Sequence, residues 1–178
     1  MIIDISKNEI DIKSNSKFGY ILSNDKIILL SKFNNDKLIE NEYNMLLFLK
    51  SINLPIVPNL ILVNTKTRNG NRLSLYEDYI KNTKLFKISS SIYFFNDKII
   101  EKIKNIIEII NKHKILIIDF QFIYNEDDLY IIDPEQIYII NDNSYKTIID
   151  RPNKIDFNKV IIDFNKQNKV LKYIINRK

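Results

Sequence analysis

Asp119 and Asp133 stand fourteen positions apart, and each follows a pair of isoleucines. Between them the chain reads FQFIYNEDDLYII: a short apolar run, a polar cluster at residues 125–128, and the β-branched and aromatic run Leu129–Ile132. This pattern predicts a hairpin with residues 122–124 and Leu129–Ile132 as strands and residues 125–128 as the turn. Such a hairpin holds two carboxylates at its two ends, on the same side of the sheet. One can then handle a proton while the other holds a metal ion. Aspartate is also common at strand ends and in turns for local reasons, which would account for either residue alone. The pair is harder to explain that way.

The rest of the chain supplies the elements that must position these groups. Residues 1–5 and 9–13 alternate weakly and read as short strands, followed by a polar turn at residues 14–19 that carries Gly19. Residues 20–22 and 26–33 read as a hairpin around residues 23–25, with Lys32 near the end of its second strand. On local grounds Lys32 is a solubilising strand-end lysine. Asn34, Asn35 and Asp36 mark a helix start, and Leu38, Ile39, Met45, Leu46 and Leu49 follow at helical spacing. Glu42 lies within that helix, where an exposed helix former is the ordinary reading. Pro55 and Pro58 break the pattern, and residues 60–63 and 73–80 read as strands flanking a loop at 64–72. Asp97–His113 is predicted as an amphipathic helix with Ile99, Ile100, Ile103, Ile106, Ile107 and Ile110 on one side. After the carboxylate hairpin come a strand at 137–140, an Asn-rich loop at 141–151 and a last helical segment through Phe157, Val160, Ile161, Phe164, Leu171 and Ile174. The two polar loops are candidates for partner contact. The expected class is α+β, with a β-rich first half that carries one helix after its third strand, and a helical second half.

Composition narrows the chemistry. With 178 residues, 45% hydrophobic and 11% aromatic, the chain can bury a sizeable core as one domain or one small two-lobed unit. The absence of cysteine excludes disulfides, a thiolate nucleophile and cysteine-ligated zinc. A single histidine, His113, argues against a His-rich metal site or a Ser-His-Asp triad. Net charge is +5 and the pI about 9.1, but the lysines are scattered among asparagines and acids. That describes a solvated surface, so no nucleic-acid partner is expected. The opening MIIDISKNEI is too short and too charged for a signal peptide, and no run reaches the roughly 18 apolar residues of a spanning helix. A soluble protein without a membrane span is expected.

Taken in order, a lysine ending strand three, a glutamate on the next helix, a connecting segment and two aspartates resemble the protein-kinase fold in shortened form. The segment LLSK ending at Lys32 is similar to the V-A-I-K strand, and NEYNMLLFL at 41–49 to the helix after it, which would put Glu42 opposite Lys32. LYEDYI at 75–80 resembles the hinge, Asp119 falls where the catalytic-loop aspartate would, and Asp133-Pro134-Glu135 stands in the place of D-F-G. The resemblance covers about residues 9–140. It implies one kinase-like bilobal domain over residues 1–178, with an N-lobe at about 1–76, a hinge at about 77–80 and a truncated helical C-lobe at about 81–178. It also implies phosphoryl transfer from ATP, which needs positioning and charge neutralisation more than covalent help. Lys32 would contact the phosphates and be held by Glu42, while Asp133 would bind Mg²⁺. Asp119 would orient and deprotonate a Ser or Thr hydroxyl. Backbone groups around Glu77 and Tyr79 would hold adenine, and the turn carrying Gly19 would cover the phosphates.

The family pattern is abbreviated. The Gly-rich loop is reduced to Gly19, and the fourteen-position spacing compresses the catalytic loop. Tyr124 falls where the second-metal asparagine is expected. Gln121 or Asn125 could stand in for it, and Gln121 is preferred because it lies two residues from Asp119 on the same side. Asp-Pro-Glu replaces Asp-Phe-Gly, and there is no A-P-E segment. A truncated second lobe of this kind is similar to the minimal kinases that some bacterial pathogens deliver into host cells, a chaperone-phosphorylating group among them, and to small phage and toxin-associated kinases. The resemblance implies a constitutively active, monomeric effector or toxin that acts on a host protein such as a chaperone and is secreted without a classical signal peptide. Alternatives are a pseudokinase that binds nucleotide without transfer, a kinase-fold transferase with another substrate, and an unrelated α+β interaction protein.

Overall fold

The alternating and helical patterns resolve into an α+β architecture in the computed structural model, which describes residues 2–6, 18–23, 25–31, 35–88, 95–150 and 155–176. The strand expected at 9–13, most of the turn expected at 14–19, and Lys32 lie outside the described residues. The chain divides into two compact units, residues 1–43 with 57–81 and residues 44–56 with 82–178.

In the first unit, β1 (Ile2–Asp4), β2 (Phe18–Ser23), β3 (Lys26–Ser31), β4 (Ile61–Thr67) and β5 (Gly70–Asp78) form one sheet in the order β1-β4-β5-β3-β2. All pairings are antiparallel except that of β1 with β4. Helix α1 (Asp36–Ser51) follows the third strand, where the spacing of apolar residues predicts it. Asn35 starts it, its Oδ1 accepting the Lys37 N–H at 3.1 Å. Ile39, Met45, Leu46 and Leu49 are buried, and the division between units falls within this helix, after Tyr43. On one face of the sheet Ile5, Ile28 and Leu30 make a small core with Ile3 and Tyr76 packed against it.

Two glycines sit differently from expectation. The polar loop expected at 64–72 is a hairpin, because β4 and β5 pair down to Thr67 opposite Gly70 and leave Arg68 and Asn69 as the turn. Val63, Thr65 and Thr67 are buried while Asn64 and Lys66 are exposed, so a strand's alternation persists through polar side chains. Gly70 has φ +110°, which only glycine adopts at low cost, and the Thr67 hydroxyl donates to its carbonyl at 2.8 Å. Gly19 lies in β2 opposite Leu30 and not in a turn, because the β2–β3 ladder runs over six pairs from Phe18–Ser31 to Ser23–Lys26.

The second unit holds α2 (Asp97–His113), α3 (Phe157–Ile175) and six short strands: β6 (Lys84–Lys87), β7 (Ile115–Ile118), β8 (Gln121–Tyr124), β9 (Leu129–Ile132), β10 (Gln136–Ile140) and β11 (Tyr145–Thr147). They form two three-stranded sheets, β11-β10-β7 and β6-β8-β9. The expectation of a helical second half is therefore corrected: its helices pack among strands too short to show a pattern of their own. In β6 only Phe86 is buried, and β11 occupies three residues of the loop expected at 141–151. The ends of α2 coincide with those predicted. Asn96 accepts the Ile99 N–H at 2.9 Å and Lys114 closes the helix in the left-handed conformation. Val160 of α3 packs with Leu116, Tyr138 and Ile140. Beneath the other sheet Phe86 and Phe122 stack at 4.4 Å between centroids, with Phe95 edge-on to Tyr124. Among the described residues no helix is long and apolar enough to cross a membrane.

Candidate functional site

Strand β7, with the sequence ILII, is buried at its first three positions, so the chain can present a carboxylate only where it leaves the core. It does so at Asp119, which adopts a left-handed backbone with φ 53°. Phe120 returns to the interior and Gln121 opens β8. Strands β8 and β9 pair antiparallel from Gln121–Ile132 to Tyr124–Leu129, as the sequence pattern predicts. In their turn the Asn125 Oδ1 accepts the N–H groups of Asp127 and Asp128 at 2.9 and 2.7 Å.

The hairpin tip is tied to the start of α2. Lys98 pairs with Asp127 at 2.6 Å, Lys102 with Asp128 at 2.7 Å, and Asn96 donates to the Glu126 carbonyl at 2.8 Å. The hydrogen bond from Lys98, and then its charge, hold the Asp127 carboxyl below the usual range and raise Lys98 in turn. These exposed pairs orient the tip more than they stabilise it.

The open end carries the two aspartates. Asp133 follows β9, also left-handed, with φ 46°. Left-handed non-glycine residues cost on the order of 1–3 kcal/mol and cluster at sites where geometry matters more than stability. The Glu135 N–H donates to the Ile118 carbonyl at 3.0 Å, which ties the turn after Asp133 to the end of β7. Gln121, only 3% exposed, reaches across. Its Nε2 lies 3.2 Å from Asp119 Oδ2, 3.3 Å from the Asp133 carbonyl and 3.4 Å from Asp133 Oδ2. Those two carboxylate oxygens are therefore no further apart than the sum of their contacts to one nitrogen. An NH₂ group has two hydrogens for three acceptors, all at the long end of the range, so none of these bonds is strong.

The Asp133 carboxylate and the Gln121 carboxamide, once that amide rotates to present its oxygen, offer oxygen donors beside the Asp119 carboxylate. Among the described residues no group of three or more His, Cys, Asp or Glu could hold a metal ion. Mg²⁺ takes one or two carboxylates and completes its octahedron with water and phosphate oxygens. On this donor chemistry the residues fit the ion.

The structure brings Asp119, Gln121 and Asp133 together within the second unit. The other residues expected to act belong to the first. Glu42 lies on α1 and is 4% exposed, so the exposed-helix-former reading is corrected. Lys32, its expected partner, is outside the described residues. Gly19 is in the β2 ladder. Glu77 is buried in β5; loss of hydration, and then the charge of Asp78, push its carboxyl up to about 7. The Tyr79 N–H donates to the Asp25 carbonyl at 2.9 Å.

Sequence reasoning missed two buried glutamines that support the site. Gln167 of α3 accepts the Ile117 N–H at 3.0 Å and donates to the Ile115 carbonyl at 3.1 Å, closing the open edge of β7. Gln136 donates to the Ile149 carbonyl at 2.8 Å. A signal for Gln167 was present: a glutamine at the position where the apolar stripe from Phe164 to Leu171 calls for a hydrophobe. No protein-family model and no curated protein sequence matches the chain.

Proposed function

We propose that this protein is an ATP- and Mg²⁺-dependent protein Ser/Thr kinase of minimal form, a constitutively active effector or toxin that modifies a protein of another cell. The observation that supports this reading is the convergence of Asp119 and Asp133 on the single Gln121 amide at the open end of the hairpin. Asp119, exposed after β7, is the group that orients a substrate hydroxyl and takes its proton as the bond to phosphorus forms. Asp133 and Gln121 hold Mg²⁺, which when bound neutralises charge on the phosphate oxygens. Pro134 and the Glu135–Ile118 hydrogen bond fix the Asp133 turn, so this carboxylate is positioned without phosphorylation of an activation segment. By the order of the motifs, Lys32 is assigned to the phosphates and Glu42 to holding Lys32.

A second reading keeps nucleotide binding without transfer. It is favoured by Gly19, which lies in a strand and not in a glycine turn over phosphates.

Thermal-shift titration with ATP and Mg²⁺ tests the reading. Wild type is expected to gain stability only when both are present, and Asp133→Ala to lose that gain. Labelled ATP with a host lysate then gives phosphoprotein for a kinase and none for a pseudokinase. Absence of any Mg²⁺-dependent shift at millimolar ATP overturns the kinase reading, and absence of any shift with ATP overturns both.

A further inference from the structure

Strand β6 ends beside the two aspartates. In the β6–β8 ladder Lys87 stands opposite Gln121. Beyond that pair the Ile88 N–H donates to the Phe120 carbonyl at 3.4 Å, which carries the pairing on to the residue next to Asp119. That bond also fixes the kind of pair. Hydrogen-bonded and non-bonded pairs alternate along an antiparallel ladder, so Lys87 and Gln121 form a non-bonded pair, the closer kind, with about 4.5 Å between Cα atoms. Side chains opposite one another in such a pair rise on the same face of the sheet.

Packing settles which face that is. Phe86 and Phe122, the neighbouring pair, stack on the other side at 4.4 Å between centroids, and Phe120 meets Phe122 edge-on at 6.0 Å. All three rings are buried, so that side is core. Lys87 rises instead on the face where the Gln121 amide meets Asp119 and Asp133. It is half-buried, in contrast to the exposed Lys84 at the other end of the strand. A lysine side chain is longer than that of glutamine, so its ammonium group can reach as far as the Gln121 amide does, and that amide contacts both carboxylates. Charge gives the group a task there. Two carboxylates cancel one Mg²⁺, whereas the γ-phosphoryl group of ATP brings negative charge of its own, spread over three outer oxygens during transfer. A fixed ammonium group beside those oxygens supplies the balance.

We propose that Lys87 holds the γ-phosphoryl group of ATP at this site, a role that rests on the kinase reading above. As the substrate oxygen bonds to phosphorus, the bond from phosphorus to the ADP oxygen breaks and ADP leaves with that electron pair. Asp119 takes the hydroxyl proton, and Lys87 keeps its own proton throughout, acting by charge alone. Calorimetric titration with ATP and with ADP, each with Mg²⁺, tests the assignment. Wild type is expected to bind ATP about tenfold more tightly than ADP. K87M, which keeps the stem and removes the charge, is expected to bind the two equally, with the ADP affinity and melting temperature of wild type. K87R keeps a preference for ATP, and K84M keeps the full ratio. Single-turnover transfer from labelled ATP to protein of a host lysate is expected to fall about 10²-fold in K87M. A wild-type ratio in K87M overturns the role of Lys87 and leaves the kinase reading standing. So does an equal loss in K84M, which would make the effect one of surface charge, or a wild type that binds ATP no more tightly than ADP. Failure of wild type to bind either nucleotide overturns the kinase reading and this role with it. Should K87M fail to fold, K87Q decides by the same ratio.

Discussion

Gln121 and Gln167 are both buried, and both serve the region of β7, but their amides are used in opposite ways. Gln167 meets one N–H and one C=O at 3.0 and 3.1 Å, each group matched to its complement. Gln121 is stretched between three oxygens at 3.2–3.4 Å, two of them carboxylate. The first arrangement is what a fold needs: two backbone groups on an open strand edge that would otherwise be buried without partners. The second spreads one amide over oxygens of two carboxylates at long distances, the arrangement on which the proposed Mg²⁺ site rests. One amide closes a strand edge, and the other joins two aspartates.

Four substitutions break or sharpen this contrast, from the largest expected effect to the smallest. Asp119→Asn is expected to lower phosphoryl transfer about 10³-fold while leaving the Mg²⁺-dependent thermal shift intact, since it removes a proton acceptor and keeps the shape. Single-turnover transfer from labelled ATP measures it, and an unchanged rate removes Asp119 from the chemistry. Glu77→Gln supplies a contrast from the first unit, where a buried carboxyl is held up to about 7 by loss of hydration. Between its ordinary value near 4.5 and about 7 the folded state binds more protons than the unfolded, so stability falls as pH rises through that window and levels off above it. The total is about 3 kcal/mol. Urea melts from pH 4 to 8 are expected to show this slope in wild type and not in Glu77→Gln.

Gln167→Leu leaves the Ile117 N–H and the Ile115 carbonyl unmatched, for a loss of about 2 kcal/mol. Chemical denaturation reads that loss, and the affinity for Mg²⁺ and ATP in the folded fraction is expected to stay the same. Gln121→Leu reverses the pattern. It is expected to raise the Mg²⁺ concentration for half-maximal thermal shift by about tenfold, with little change in stability without the ion, because the amide's bonds are weak. If instead Gln121→Leu unfolds the protein and Gln167→Leu disturbs the ion, the contrast drawn here is wrong.

Much of this was readable along the chain. The isoleucine stripe set α2 at Asp97–His113, and the runs on either side of the turn at Asn125 set the hairpin. The two aspartates were visible because each interrupts an apolar run at its end. Where pattern failed, the physical reasons differ. In residues 64–72 the inward side chains include Thr65 and Thr67, so burial alternates although polarity does not. Strand β6 is an edge strand of four residues with one buried side chain, too short for any period. Gly19 read as a turn because glycine permits one; pairing with Leu30 drew it into the ladder.

By itself the sequence determined the local elements, since capping, periodicity and turn chemistry act over a few residues, and it determined that two carboxylates would end two apolar strands. Only the tertiary structure decided that β7 is closed at its edge by a side chain fifty residues further on, and that Gln121 stands between Asp119 and Asp133. Those are contacts between groups whose separation along the chain carries no energy of its own. They exist because the hairpin register and the packing of α3 fix distances that no local preference encodes.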